Sequence, residues 1–160
     1  MDFFAHGLWT NVAFGQQRRI DRWWDVFFGI APDIPFLPVA LCRVVTRTAL
    51  IHGAVPPEPF VALYRGTHSL LVFALAVGVV ALWHGGRVWW PMLGWGFHIS
   101  IDIFSHSVDY FPTQFLWPVS TVHVNGLSWA DPTFMLVNYT VLAVVYGAVY
   151  GRHRRSRSVA

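Results

Sequence analysis

The chain has 160 residues, a length typical of a single domain. Hydrophobic residues make up 55% of it and charged residues 12%, about half the charged content of ordinary soluble domains, so the composition indicates a membrane protein. The formal charge of +3 comes without a basic patch interleaved with aromatic residues, which argues against nucleic acid as a partner. The single cysteine, Cys42, excludes an intrachain disulfide and a thiolate metal cluster.

The first apolar segment covers residues 3–15 and is interrupted by His6 and Asn11. It is shorter than the about 20 residues that a membrane-crossing helix needs, so a partial or tilted helix is expected. His6 is either a polar residue at the start of that helix or a metal ligand. A charged turn over residues 16–22 follows.

A second apolar stretch runs from Trp23 to about Ile51 and is broken by Pro32 and Pro35. These prolines remove backbone donors and predict a kink or an unwound turn. Irregular backbone at membrane depth is tolerated where it is buried in protein or lines a cavity. Asp33, between the prolines, either caps the next half-helix or acts as a ligand or proton carrier. Its position about eleven residues into the stretch favours the second role.

Residues 52–65 contain three prolines and are expected to form an extracytoplasmic loop. Thr67 or Ser69 is then expected to cap a helix over the apolar run from Leu70 to Trp83. His68 lies beside the N-terminus of this helix, where a cationic ring is disfavoured. It is therefore either a neutral imidazole able to bind metal or an ordinary interfacial histidine.

The segment from Gly94 to Asp109 combines apolar residues with imidazoles and carboxylates, within a helix expected from Trp89 to about Phe111. On an α-helix its ionisable residues share one narrow stripe, formed by His98, Asp102, His106 and Asp109. Such groups are costly in apolar surroundings unless they have partners. The stripe is either the polar face of a helix end in water or a metal or proton site. The spacing of four between ordinary ligand types favours the site.

Asp131-Pro132 is a strong helix-start signal before the uncharged run of residues 133–151, and a basic tail closes the chain. The sequence thus predicts an all-α, integral-membrane bundle of about four to five hydrophobic helices, one short and one broken at Pro32–Pro35. Residues 1–151 are expected to form a single transmembrane domain and residues 152–160 a basic tail. If the hydrophobic segments alternate, most basic residues fall on the side of this tail, which the positive-inside rule makes cytoplasmic.

Several of these motifs occur together and in this order in a known family. The matching pieces are His6, Pro32-Asp33, Arg65-Gly66-Thr67-His68-Ser69, the segment Gly94 to Asp102, and Leu116-Trp117-Pro118. With them the chain resembles the YdjM-like bacterial membrane-bound metal-dependent hydrolases. The resemblance implies a multi-pass protein of the bacterial inner membrane with a metal site. The ligands that it implies are His6, Asp33, His68, His98 and Asp102.

The chain departs from the family pattern at two positions. The family commonly has a second acid where Pro35 stands and a histidine where Tyr64 stands. His106 and Asp109 are candidates to replace these groups, as outer ligands or as the general base in catalysis.

Two functions follow as expectations. The first is a membrane-embedded hydrolase that uses a divalent metal ion, expected to be zinc, on a lipid or on a lipid-linked phosphate or ester. The alternative is a membrane protein that binds or transports protons or divalent metal along the stripe, without hydrolysis. Haem binding between facing histidines would leave the carboxylates of the stripe without a role. A structural membrane protein with satisfied polar groups is a further interpretation.

Overall fold

A computed structural model of the chain describes residues 1–14, 22–38, 58–109 and 111–158. The described part is helical and contains no strand, which confirms the predicted all-α class. Its helices are α1 (Phe3–Ala13), α2 (Arg22–Ile30), α3 (Glu58–Thr67), α4 (Leu70–Trp83), α5 (Leu93–Ser105) and α6 (Pro132–Ser158). Two short 3₁₀ helices, Ala31–Phe36 and Trp90–Met92, follow α2 and precede α5.

Side-chain caps define the starts of three helices. The carboxylate of Asp2 accepts from the backbone of α1, with both bonds 3.1 Å long. Ser69 Oγ accepts from Leu71 N and Val72 N at the start of α4. Asp131 accepts from the first turn of α6 at 2.8 and 3.0 Å. Each cap satisfies backbone donors that would otherwise lack a partner, as the sequence predicted for Ser69 and Asp131.

Two helix boundaries differ from the prediction. Residues 58–65, the last part of the segment expected to form a loop, belong to α3. Pro59 is the second residue of this helix, where its missing N–H removes no helical hydrogen bond, so it does not oppose the helix. The site helix α5 ends at Ser105 instead of continuing to Phe111, because His106 adopts an extended backbone with φ −114° and ψ 129°.

Three predicted features lie outside the described residues: most of the charged turn at 16–22, the apolar run beyond Pro38 with Cys42, and the loop residues before Glu58. Within the described ranges, one helix is long and apolar enough to cross a membrane, at Pro132–Arg152. A second crossing is counted if α3 and α4, which meet at 59°, act as one bent span. The predicted bundle of four to five spans is therefore not supported by the described part of the chain.

Polar side chains fill much of the interior, whereas large apolar side chains lie outside. The fully buried side chains include His6, Thr10, His68, His98, Asp102 and Thr113. In contrast, α4 has no buried residue, and Leu75 and Leu82 are 70% and 80% exposed. A small apolar cluster of Met1, Ala5 and Leu142 joins α1 to α6. The helices therefore surround a polar interior.

Glycine allows α2 and α5 to approach closely. A Cβ atom added at Gly94 would lie 2.6 Å from the carbonyl oxygen of Asp25 and 3.1 Å from the backbone nitrogen of Gly29. Real side chains cannot occupy such a space without a backbone shift. This contact also brings the Gly29 carbonyl within hydrogen-bond reach of α5, where it contacts His98.

We expect Gly94→Ala to separate α2 from α5 and to lower the free energy of unfolding by about 1–3 kcal/mol, the usual cost of overpacking. Gly78→Ala is the matched control, because a Cβ there meets nothing within 4 Å. Alanine in the middle of α4 should stabilise the helix by about 0.5–1 kcal/mol. Thermal unfolding of the detergent-purified variants measures both effects. Equal melting temperatures for the two variants would contradict the close packing of α2 against α5.

Candidate metal centre

Four side chains from three parts of the fold meet at one point. Their ligand atoms, from Asp33, His68, His98 and Asp102, all lie within 4.8 Å of one another. Asp33 comes from the 3₁₀ helix after α2, and His68 from the bend between α3 and α4. His98 and Asp102 lie one turn apart on α5. The structure therefore brings together four of the five residues expected to bind metal.

The local sequence explains how Asp33 and His68 reach this point. Pro32 and Pro35 lie within the 3₁₀ segment, and Pro32 is buried, so the chain presents Asp33 from a tight turn after α2. His68 stands between the last residue of α3 and the cap of α4, where its backbone N–H bonds to Tyr64 O at 2.9 Å. Both side chains thus come from points where a helix is interrupted.

Five of the six distances within the group are close to the edges of a tetrahedral metal site. His68 Nε2 lies 3.1 Å from His98 Nε2, and these two atoms lie 3.4 and 3.3 Å from Asp102 Oδ2. Asp33 Oδ1 lies 3.5 Å from His68 Nε2 and 3.7 Å from His98 Nε2. Ligands about 2.0–2.2 Å from a zinc ion form a tetrahedron with edges of about 3.3–3.6 Å. The observed distances lie around this range.

Backbone carbonyl groups orient both imidazoles of the group. His98 Nδ1 donates to Gly29 O at 2.8 Å, and His68 Nδ1 donates to Tyr64 O at 3.1 Å. Because a carbonyl oxygen only accepts, the proton of each neutral ring lies on Nδ1, and Nε2 keeps its lone pair. Metal-binding histidines are usually oriented in this way. The two Nε2 lone pairs point at each other, an arrangement that requires a cation between them.

The surroundings of Asp102 indicate whether the cation between the two rings is a metal ion or a proton. Its Oδ2 atom is buried and makes no hydrogen bond to the described residues. A proton shared by His68 and His98 would leave this oxygen unsatisfied, at a cost of about 1–3 kcal/mol or more for a charged group. A metal ion in the centre of the group would contact Oδ2 and both nitrogens together. The four residues therefore fit a divalent metal ion better than a proton.

Burial and neighbouring charges set the ionisation states of the side chains around the centre. Burial lowers the pKa of His6 to about 3, against the opposing charge of Asp102, so this ring is neutral at physiological pH. Burial alone would raise the pKa of Asp102, but the electrostatic interactions with the His6 imidazole, the Met1 amino group and the other nearby histidines hold it well below its usual range. Burial would lower the pKa of His68, but its hydrogen bonds to Asp102 and Asp33 and the charges of these carboxylates raise it to about 9, so this ring carries a proton at physiological pH. A metal site requires neutral imidazoles and an ionised carboxylate, so metal binding would release this proton.

The other three predicted site residues take different positions. His6 stacks on His98 with ring centroids 3.7 Å apart, and its Nε2 lies 2.9 Å from Asp102 Oδ1, outside the four-atom group. His106 is buried beyond the end of α5, with Nε2 3.5 Å from Asp102 Oδ2. Asp109 is exposed in the following turn. The predicted stripe is therefore not one helical face, because α5 ends before His106 and Asp109 leaves the site.

Several groups at the site were not predicted. The ring of Tyr64 stacks on His68 at 3.9 Å, and its hydroxyl lies 3.4 Å from His106 Nδ1 and 3.0 Å from Thr113 Oγ1. Ser105 Oγ donates to Asp102 Oδ1 at 3.0 Å. The amino nitrogen of Met1 contacts the same oxygen. Sequence signals pointed to two of these groups: the family histidine is exchanged for Tyr64, and Ser105 lies three positions after Asp102, on the same helical face.

Comparisons with protein-family models, with curated proteins and with solved structures gave no match to this chain. The resemblance to the YdjM-like hydrolases therefore stays a prediction from the motifs.

Asp102→Asn and His98→Ala should each lower metal affinity by more than about 100-fold, since replacing a residue that merely supports a ligand already costs about 10–100-fold. His84→Ala is the control, because His84 is exposed in the turn after α4. Elemental analysis of purified protein, with gel filtration to check folding, measures the effect. Equal metal content in all variants, or none in the wild type, would exclude this centre.

Proposed function

We propose that this protein is a metal-dependent hydrolase of the bacterial inner membrane, acting on a lipid or on a lipid-linked phosphate or ester. One observation carries the proposal: the ligand atoms of Asp33, His68, His98 and Asp102 lie within 4.8 Å of one another, and Asp102 Oδ2 has no hydrogen-bond partner among the described residues. A divalent ion bound by such a set would supply an activated water and polarise a phosphoryl or carbonyl oxygen. Zinc is the proposed ion, since imidazole and carboxylate both bind it in tetrahedral sites.

The site opens at Asp33. The side chains of His68 and His98 are 0% exposed and that of Asp102 is 1% exposed, whereas the side chain of Asp33 is 20% exposed. Asp33 also makes the two longest contacts in the group, at 3.5 and 3.7 Å. Structural zinc sites are closed by four firmly held ligands, and catalytic sites keep an accessible position. A substrate would therefore approach the metal beside Asp33.

His106 is the better placed of the two predicted catalytic residues. Its Nδ1 donates to Phe111 O at 2.9 Å, and its Nε2 faces Asp102. This orientation suits either of the two predicted roles, an outer ligand or a proton acceptor. Asp109, exposed in the turn, is not part of the proposed mechanism.

The exposed apolar helices support the membrane location. Large apolar side chains cover the outside of α4 and α6; for example, Leu82 is 80% exposed and Leu136 is 71% exposed. Only 11% of the apolar window of Pro132–Arg152 is buried within the described chain. Contiguous apolar surface of this kind marks a membrane or protein interface. A membrane-embedded scaffold would place the site within reach of a lipid substrate.

Transport along the histidines and carboxylates receives less support. A conducting path needs access to the ligands from two sides. Among the described residues, Asp33 is the one exposed member of the ligand group, and the other three side chains are at most 1% exposed. The partial exposure of Asp33 supports a site that a substrate can reach from this side.

The purified protein should hydrolyse an activated test substrate, such as 4-nitrophenyl phosphate or a 4-nitrophenyl ester, in detergent micelles. A chelator should abolish the activity and zinc should restore it. Asp33→Asn should lower kcat/KM by more than about 100-fold, because it removes a charged ligand. His123→Ala in an exposed loop is the control. Metal binding without any hydrolysis of phosphates or esters would reject the enzyme and leave a metal-binding protein.

The proposed orientation of the chain in the membrane can be tested with reporter fusions. A fluorescent reporter fused after Ala160 should be active, and an alkaline phosphatase fusion at the same point inactive, because the basic tail is expected in the cytoplasm. Fusions after Arg87 should report the same side. The reverse pattern at Ala160 would overturn the proposed topology without affecting the metal centre.

A further inference from the structure

An elongated groove lies between α1, α2 and α6, apart from the metal centre. It has a volume of about 480 Å³, and its described lining includes Phe4, Leu8, Trp23, Val26, Ile30 and Tyr146. Phe4 and Trp23 are 72% and 71% exposed, so the groove opens to the surroundings of the bundle. Gly7 also lines it, and a Cβ atom added there would lie 3.1 Å from Ile30 and 3.6 Å from Val26. The helices α1 and α2 are therefore in close contact beside the groove.

The chemistry of the lining suits an apolar ligand. The described lining contains no charged side chain. Its polar side chains bond to each other and to the backbone: Asn11 Nδ2 donates to the Tyr146 hydroxyl at 2.8 Å, and this hydroxyl donates to Leu8 O at 3.1 Å. Concave sites of about 300–1,000 Å³ with mainly apolar walls are typical binding sites for small ligands.

The groove runs in the direction of the candidate membrane crossing. The helices α1 and α6 are parallel, since Tyr139 contacts Asp2 at 2.9 Å and Tyr146 contacts Leu8, one helical turn and a half farther along α1. The lining residues of α1 extend from Phe3 to Asn11, about 12 Å at 1.5 Å per residue. In a membrane crossed by α6, the groove would lie along the alkyl chains of the lipids.

One end of the groove is close to the opening of the metal centre. Ile30, which lines the groove, ends α2 and precedes Asp33 by three residues. Side chains three positions apart lie on the same side of a 3₁₀ helix, one turn from each other. Asp33 is the partly exposed member of the ligand group. A ligand with its apolar chain in the groove can therefore place its polar end at this opening.

The size of the groove favours an alkyl chain over a protein segment. A helix with a diameter of about 10 Å and the length of the groove occupies roughly 900 Å³. The groove has about half of this volume. A helix would have to lie mostly outside it, whereas a single alkyl chain fits inside.

We propose that this groove binds one alkyl chain of the lipid substrate, while the polar group of the same lipid lies at the metal centre beside Asp33. The inference rests on the proposed function, because the chain and the reacting group belong to one molecule. It makes the groove a determinant of chain-length specificity. Each methylene buried in the groove should strengthen binding from water by roughly 4-fold.

A photoactivatable phospholipid tests the groove without requiring hydrolysis. The probe carries a diazirine midway along one alkyl chain and is added in equimolar amount to the full-length protein in excess detergent. Peptide mapping after illumination should find saturable labelling on the lining residues of α1 and α2, and much less on α4. Val26→Phe, which fills the groove, should lower this labelling by at least about 10-fold, the loss expected when two methylenes are excluded. Val79→Phe on the exposed face of α4 is the matched control and should label like the wild type.

Equal labelling of α4 and of the groove in the wild type would show boundary lipid only and would overturn the proposal. This comparison holds even if Val26→Phe fails to fold. Labelling of a neighbouring protein segment instead of lipid, or no saturation, would also overturn it.

Chain-length dependence tests the link between the groove and the metal centre. The substrates are a 4-nitrophenyl ester or phosphodiester with a decyl chain and its methyl homologue, in the same micelles. Val26→Phe should lower kcat/KM for the decyl substrate by at least about 10-fold and leave the methyl substrate unchanged, because the methyl group does not reach the groove. An equal effect on both substrates would overturn the proposal and leave the proposed function intact. Selective labelling without hydrolysis of either substrate would instead reject the proposed function, and with it the assignment of the bound lipid as substrate.

Discussion

The burial of one carboxylate, Asp102, is the constraint on which the rest of the structure depends. A charged group that is 1% exposed costs several kcal/mol unless partners compensate for the lost water. The partners come from α1, from the bend between α3 and α4, and from α5 and its C-terminal end. Each of these elements must therefore be in place before Asp102 is stable as an anion. A cation bound beside Asp102 would link the folding of the bundle to metal binding.

Local spacing made part of the centre predictable. His98 and Asp102 are four residues apart on one helix, so their side chains are neighbours wherever that helix packs. The prolines around Asp33 likewise mark a break that the structure confirms as a 3₁₀ segment. Both inferences depend on short stretches of sequence. Neither requires knowledge of how the helices pack.

The remaining features depend on where helices end and on contacts distant in sequence. The stripe was predicted on one continuous helix, but α5 ends at Ser105. His106 therefore reaches Asp102 from an extended backbone, and Asp109 lies exposed in the following turn. The contact between Met1 and Asp102 spans 101 positions in the chain. The orienting groups of His68 and His98 are backbone carbonyls, which every residue possesses. No pattern of side-chain types reveals such partners.

Polar and apolar side chains are placed in the opposite way to those of a water-soluble protein. Apolar residues of α4 and α6 lie on the surface, while histidine, threonine and aspartate side chains fill the centre. In water the exposed apolar side chains would be a liability; in lipid they are the required surface, and the polar groups are the ones that must pair internally. The proposed membrane location thus accounts for both observations at once. It also explains why the polar groups gather at one place instead of being distributed over the surface.

The unequal ligands of the centre give the strongest reason to regard it as reactive instead of structural. His68 and His98 are fixed by carbonyl oxygens, and Asp102 is held by several partners, so these three ligands cannot move independently. Asp33 is different, because it is partly exposed, lies in a 3₁₀ segment and makes the longest contacts in the group. A purely structural ion gains nothing from one loosely held ligand, since affinity is greatest when all ligands are preorganised. A catalytic ion needs a coordination position that can be vacated or shared. In the proposed enzyme, the side of the centre occupied by Asp33 would provide that position, and the three fixed ligands would hold the ion.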